Sequence, residues 1–126
     1  MQQPWFYVVW ALGAYLLGSI PIGDLVARAA GVNIRAVGTG NPGAANIFRE
    51  ISRAHGAAVF GLDVAKGAVA TVPIFLLTLP AWAGLMAATA VLAGHIFPLP
   101  WRSIGGTGMA VAMGATAGLL PIGALV

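Results

Sequence analysis

Two glycine-rich strings concentrate the residues able to hold an anion. The first is GTGNPG, residues 38–43. Gly38, Gly40 and Gly43 let a ligand approach the backbone, and Thr39 adds a hydroxyl. Asn41 suits an N-cap and Pro42 the first helical position, so a helix is expected to start there. Its leading N–H groups and its dipole would favour negative charge. Arg35 lies just ahead and has the fork geometry for a phosphate or a carboxylate. The second string is SIGGTGMA, residues 103–110, in which Gly105, Gly106 and Gly108 surround Thr107. It resembles an anion cradle without a lysine. Both strings also have a plainer reading. The first is a glycine turn before a capped helix. The second belongs to a packing stripe that continues through Gly114 and Gly118.

Three further side chains could take part. Asp63 and Lys66 stand three apart, on one face of a helix. They form either a self-neutralising pair or a pair from which Lys66 reaches an anion. His95, in GHIFP, is a candidate general base or a donor to phosphate. The alternative is a helix-end histidine bonded to a carbonyl. Ser19 is expected to bond back to its own helix, and Asp24 to pair with Arg28, four residues on. The chain has no cysteine, and no Ser/His/Asp constellation supplies a nucleophile. Any group transfer must rest on positioning and charge stabilisation. The few histidines and acids are scattered, which argues against a metal centre.

These residues are carried by a chain built for lipid. Of its 126 residues, 60% are hydrophobic and 7% charged, against about a quarter charged in soluble domains. The formal net charge of +3 sits on a few loop residues and provides no basic face for nucleic acid. Residues 5–23 carry no charge and suffice for one span. Trp5, Tyr7 and Trp10 fit an interfacial belt at its start, and the charged n-region of a signal peptide is missing. Residues 67–101 are also uncharged. Pro80 divides that region into spans of roughly 57–79 and 81–97. A fourth span runs from about Gly108, with a kink at Pro121. Between the first two spans, Ala44, Ile47, Phe48 and Ile51 recur at helical spacing, and Gly56 suits a helix stop. This predicts a short interfacial helix.

The fold expected is therefore an all-α integral membrane protein with about four transmembrane helices, residues 1–126 forming one membrane domain. The four arginines of 24–55 place that loop and the 98–107 loop in the cytoplasm, with the N-terminus outside. Both glycine strings then share one membrane face. The sequence stops at Val126 inside an apolar run, which suggests that the helix bundle continues.

In order, GSIPIG, IRAVGTGNPGAAN, LDVAKG, GHIFP and GGTG resemble the bacterial membrane acyltransferases that acylate glycerol 3-phosphate with acyl phosphate. The resemblance runs from about Gly18 to Gly114. It implies a multi-pass enzyme of the inner membrane that makes lysophosphatidic acid without coenzyme A, metal or other cofactor. The family's first loop reads close to IRxxGSGNxGATN. Arg35 matches its essential arginine, and Thr39 stands at its serine. Asn41, Gly43, Ala44 and Asn46 match, whereas Ala45 replaces the usual threonine. The later loop normally reads GGKG and binds the phosphate of glycerol 3-phosphate, so Thr107 replaces a lysine. A third motif, with a histidine and an asparagine, lies beyond Val126.

Arg35 and Thr39, by the resemblance, and His95, by its place at a helix end, are expected to be catalytic. Gly38, Gly40, Asn41, Gly43, Asn46, Lys66, Gly105, Gly106, Thr107 and Gly108 are expected to bind substrate phosphate. Positive charge would come from Arg35, Lys66 or Arg102. Two other functions fit less of the sequence. One is a catalytically impaired homologue that binds a phosphorylated ligand. The other is a small oligomeric transporter subunit, although its polar site would be expected at mid-membrane. The sequence does not set the oligomeric state.

Overall fold

A computed structural model describes residues 2–99 and 104–120. Arg102, Ser103 and Pro121 lie outside them. Helix α1 covers Pro4–Gly18 and α2 Ile22–Ala29. A short 3-10 turn follows at Ile34–Ala36, then α3 at Ala44–Glu50. Helices α4 (Arg53–Leu76), α5 (Ala81–Ile96) and α6 (Met109–Leu119) complete the order.

The first uncharged run is not one unbroken helix. It stops at Gly18, and α2 starts at Ile22 after three intervening residues, because Pro21 has no N–H to continue the ladder. Ser19 Oγ donates to Tyr15 O at 2.8 Å, the back-bond expected from sequence. With that interruption, Pro4–Ala29 and Arg53–Leu76 are long and apolar enough to cross a membrane. Helix α5 has 16 residues and the described part of α6 has 11, short of the ~20 that a full span takes. Pro80 separates α4 from α5 as expected, as the residue that precedes α5.

The interfacial helix is shorter than its pattern suggested. It ends at Glu50, and Ser52 starts α4 by accepting a hydrogen bond from His55 N at 3.1 Å. Gly56 does not stop a helix. It lies inside α4 where that helix turns back against α3, and a Cβ there would sit 2.4 Å from Phe48 Cβ. Tyr7 and Trp10 do not form a simple belt either. They pack around buried Ile74, Ala83 and Ala87 at one end of the bundle, and Trp10 Nε1 donates to Ala70 O at 3.1 Å. Trp5 remains 66% exposed.

Backbone contact through glycine sets the helix crossings. A Cβ on Gly18 would lie 2.0 Å from Val91 O, and one on Gly94 2.0 Å from Tyr15 O, so α1 and α5 touch main chain to main chain. The same happens between α4 and α6. A Cβ on Gly67 would meet Val111 O at 2.2 Å, and one on Gly114 Val64 O at 1.9 Å. Thr71 Oγ1 adds a bond to Ala115 O at 2.9 Å beside Gly118. Lipid tails are as apolar as leucine, so close packing and such hydrogen bonds must supply the association energy. Gly114 and Gly118 therefore form the expected packing stripe. Gly108 is not part of it, since its near neighbours are Leu92 and Ile96 of α5.

A second core lies beneath the first loop, where Ala27, Ile34, Ile47 and Val59 are buried together. Above it, one side chain shapes the loop. Asn46 is 2% exposed. Its Nδ2 donates to Asn41 O at 3.0 Å and to Val37 O at 3.1 Å, and its Oδ1 accepts from Thr39 N at 3.2 Å. Gly38 and Gly40 supply the positive φ values, 56° and 73°, that the turn needs.

Two outcomes follow. Gly114→Ala should destabilise the protein by roughly 1–3 kcal/mol, the usual cost of overpacking, whereas Gly61→Ala, with open space around it, should be neutral or slightly stabilising. Thermal unfolding of the detergent-solubilised protein measures both. Asn46→Asp should cost more than Asn46→Ala, because a carboxylate repels the carbonyls to which the amide donates, and proteolysis at 37–43 should rise in the same order.

Candidate active site

The loop that follows the 3-10 turn folds on itself before it meets any ligand. Asn41 is not the N-cap of α3; Gly43 is, and Pro42 precedes it. Asn41 Oδ1 instead accepts from Gly43 N at 2.7 Å, an Asx turn that leads into the helix. Asn41 N donates to Thr39 Oγ1 at 3.3 Å, and Gly40 N to Val37 O at 2.9 Å. In the second loop, Gly105 N donates to Ile96 O at 2.8 Å. With Thr39 N on Asn46, these amides are engaged inside the protein. The amides of Ala44, Ala45 and Asn46 open α3 with no backbone acceptor among the described residues.

Beside that helix end is a cavity of about 370 Å³ between α3, α4 and α6. Thr39, Asn41, Gly43 and Asn46 line it from the first loop, and Thr107 and Gly108 from the second. His95 reaches it from the end of α5. Phe60, Met109 and Met113 form its apolar side. A smaller space of about 20 Å³, room for one water, lies on the other side of His95. Arg35, Asp24, Gly105 and Gly106 border that one. The two strings singled out from sequence therefore converge on one end of the bundle, with His95 between the two spaces. Gly38, Gly40 and Lys66 line neither.

The charged residues differ most from expectation. Arg35 does not project into the large cavity. Its Nε and Nη2 donate to the two Asp24 carboxylate oxygens at 2.9 Å each, and Nη1 donates to Ile104 O at 2.8 Å. It ties α2 to both loops, and Asp24 pairs with it rather than with Arg28. Lys66 is buried below the site. Its Nζ donates to Gly18 O and Ile20 O at 3.0 Å each and lies 3.0 Å from Asp63 Oδ1. It cannot reach an anion at the loops while so held. Asn46, its amide bonded to backbone groups of Ile34, Val37, Thr39 and Asn41, is equally unavailable to a ligand.

Of two further cavity residues, Arg49 escaped the sequence reading and Asp63 entered it only as the partner of Lys66. Arg49 and Asp63 both line the large cavity. Arg49 fell outside the apolar spacing of Ala44, Ile47, Phe48 and Ile51, and Asp63 was read with Lys66 as a pair. Arg49 follows Ala45 by one turn of α3, and both line the cavity. Among the described residues Arg49 is the one cation lining the cavity. No cluster of three or more His, Cys, Asp or Glu suited to a metal occurs among them.

Similarity to known proteins agrees with this geometry. The family model described as "Glycerol-3-phosphate acyltransferase" matches residues 8–126. The glycerol-3-phosphate acyltransferase of Geobacter metallireducens is 42% identical over 115 residues, which is 90% of this chain and 59% of that protein. The one from Aquifex aeolicus is 37% identical over 113 residues, 89% of this chain and 59% of its own. Two crystal structures of PlsY (YgiH), an integral membrane glycerol 3-phosphate acyltransferase, share the fold. The glycerol 3-phosphate form superposes with a TM-score of 0.85 at 34% identity, over 94% of this chain and 60% of that one. The lysophosphatidic acid form gives 0.83 at 32% identity. The chain thus spans about three-fifths of the length of these relatives. It has their all-helical integral membrane fold, and it belongs to the glycerol-3-phosphate acyltransferase family.

Proposed function

We propose that the protein transfers an acyl group from acyl phosphate to glycerol 3-phosphate, giving lysophosphatidic acid and inorganic phosphate. The observation that carries this reading is the shared cavity. Thr39 and Asn41 from one motif and Thr107 and Gly108 from another line a single space with one apolar wall. A long acyl chain suits Phe60, Met109 and Met113, and phosphate suits the polar end. The glycerol hydroxyl attacks the acyl carbonyl, and the bond to the phosphate oxygen breaks. Phosphate is a good leaving group, so positioning and charge stabilisation carry most of the rate. His95 is placed to accept or relay the hydroxyl proton. Arg35 acts through structure, fixing the two loops against each other.

The cell's inner membrane is the location that fits an enzyme acting on such lipids. The arginines of 24–55 orient both glycine loops toward the cytoplasm and the N-terminus outward. Neither coenzyme A, a metal nor another cofactor enters the reaction.

Thr107 favours one competing reading, an impaired homologue that binds a phosphorylated ligand without turnover. Arg49 answers it by offering a guanidinium to the same cavity. Purified protein, acyl phosphate and labelled glycerol 3-phosphate test the main reading, with labelled lysophosphatidate as the expected product. Binding of glycerol 3-phosphate without product would establish the competing one. Arg49→Ala should raise KM for glycerol 3-phosphate by roughly ten- to hundredfold, as expected for one charge-assisted bond of ~1.5–3 kcal/mol. Thr107→Lys should lower it, and steady-state kinetics on the two variants reads both effects.

A further inference from the structure

The second glycine loop is held from outside at two points. One is Arg35, whose Nη1 donates to Ile104 O at 2.8 Å. The other is Tyr15 of α1, far away in the chain. Its hydroxyl donates to Phe97 O and accepts from Leu99 N, the latter at 3.0 Å. One oxygen thus serves the main chain on both sides of Pro98, which has no N–H of its own. The Tyr15 main chain is fixed where α1 crosses α5. Its carbonyl accepts from Ser19 N at 2.9 Å and Ser19 Oγ at 2.8 Å, and a Cβ on Gly94 would run into it.

These bonds hold the stem of the loop. Phe97 N donates to Ala93 O at 2.8 Å, and Gly105 N returns to Ile96 O at 2.8 Å. The chain therefore leaves and rejoins α5 at adjacent residues, and Gly106, Thr107 and Gly108 follow at once. Gly106 lies against His95 Nε2, and Thr107 and Gly108 line the large cavity. Among the described residues, the amides of Gly106, Thr107 and Gly108 have no main-chain acceptor. That segment takes its place from the stem on one side and from α6 on the other. A tyrosine of an interfacial belt would turn its hydroxyl to water or headgroups. This one turns it to the loop. We propose that Tyr15 is a positioning residue, whose hydroxyl holds the stem so that Thr107 and Gly108 meet the phosphate of glycerol 3-phosphate. The inference rests on the acyl-transfer reading and adds to it a residue of the first helix that lines neither space. Without the hydroxyl, the loop spends less time in its binding arrangement, and apparent affinity falls by that fraction.

Tyr15→Phe removes the two bonds and keeps the ring. The loss is modest, so Kd for glycerol 3-phosphate, measured by calorimetry on the full chain, should rise about three- to tenfold. KM for glycerol 3-phosphate should rise with it. KM for acyl phosphate, whose chain meets Phe60 and Met113 on helices, should change less than about twofold. Hydrogen exchange adds a reading that needs no turnover. In the wild-type protein the Leu99 amide should exchange at least about tenfold more slowly than a free amide, and in Tyr15→Phe faster, with the Ile47 amide of α3 unchanged. A fall in kcat with both KM values unchanged would mean only a smaller folded fraction and would overturn the proposal. So would an unchanged Kd, or a Leu99 amide that exchanges freely in the wild-type protein. Product formed by the wild-type protein in those cases leaves acyl transfer standing. The expected rise in Kd without any product supports the positioning role in a protein that binds but does not turn over. If the wild-type protein neither binds glycerol 3-phosphate nor forms product, the acyl-transfer reading fails and this inference fails with it.

Discussion

An ammonium group placed where a helix ends organises this bundle. The break at Ser19–Pro21 leaves the carbonyls of Gly18 and Ile20 facing inward, and Lys66 Nζ donates to both at 3.0 Å. In an apolar surrounding, main-chain carbonyls without donors are expensive. A cation at the C-terminal end of α1 also complements that helix's dipole. Asp63 keeps the arrangement neutral from one turn earlier on α4. The interruption of the first span is thus compensated by a helix far along the chain, and this ties α4 to α1 at a fixed depth.

The depth of α4 then fixes what surrounds it. At Gly67, next to Lys66, α6 meets α4 main chain to main chain, so the start of α6 and the loop before it are set by the same turn of α4. On the other side, Gly18 and Gly94 bring α1 and α5 together, and His95 follows directly. The glycines and the buried pair act as one framework. Glycine allows main chain to touch main chain, and the pair determines the height at which it does. The second loop inherits its position from both contacts, and Arg35 fastens it to the first through Ile104 O.

Much of this was legible in the sequence, for physical reasons. The uncharged runs, Pro80, and the stripe of Gly114 and Gly118 report local constraints that no tertiary contact overrides. The meeting of GTGNPG and GGTG at one end of the bundle followed from counting spans. What stayed hidden was the choice among partners. Asp24 is four residues from Arg28, yet it pairs with Arg35 because the chain folds back after α2. Asn41 has the composition of an N-cap, but its side chain bonds two residues ahead and moves the cap to Gly43. Periodicity leaves Arg49 off the apolar face that carries Phe48. Only the approach of α6 shows that Arg49 borders a cavity. Ser52 was passed over because Gly56 seemed a sufficient stop, whereas Gly56 serves the crossing of α3 and α4.

The first loop has a consequence for how such a protein can diverge. Its shape depends on the Asn46 amide, whose polar atoms are bonded to backbone, and on two glycines with positive φ that line neither space. Ala45 borders the cavity without a side-chain hydrogen bond to the loop, and Arg49 lies one turn beyond, so part of the cavity wall is separate from the groups that hold the loop. Shape and selectivity can be inherited independently. A lineage can change the cavity wall one side chain at a time, as at Ala45 or Thr107, while the scaffold beneath it goes on being transmitted unaltered.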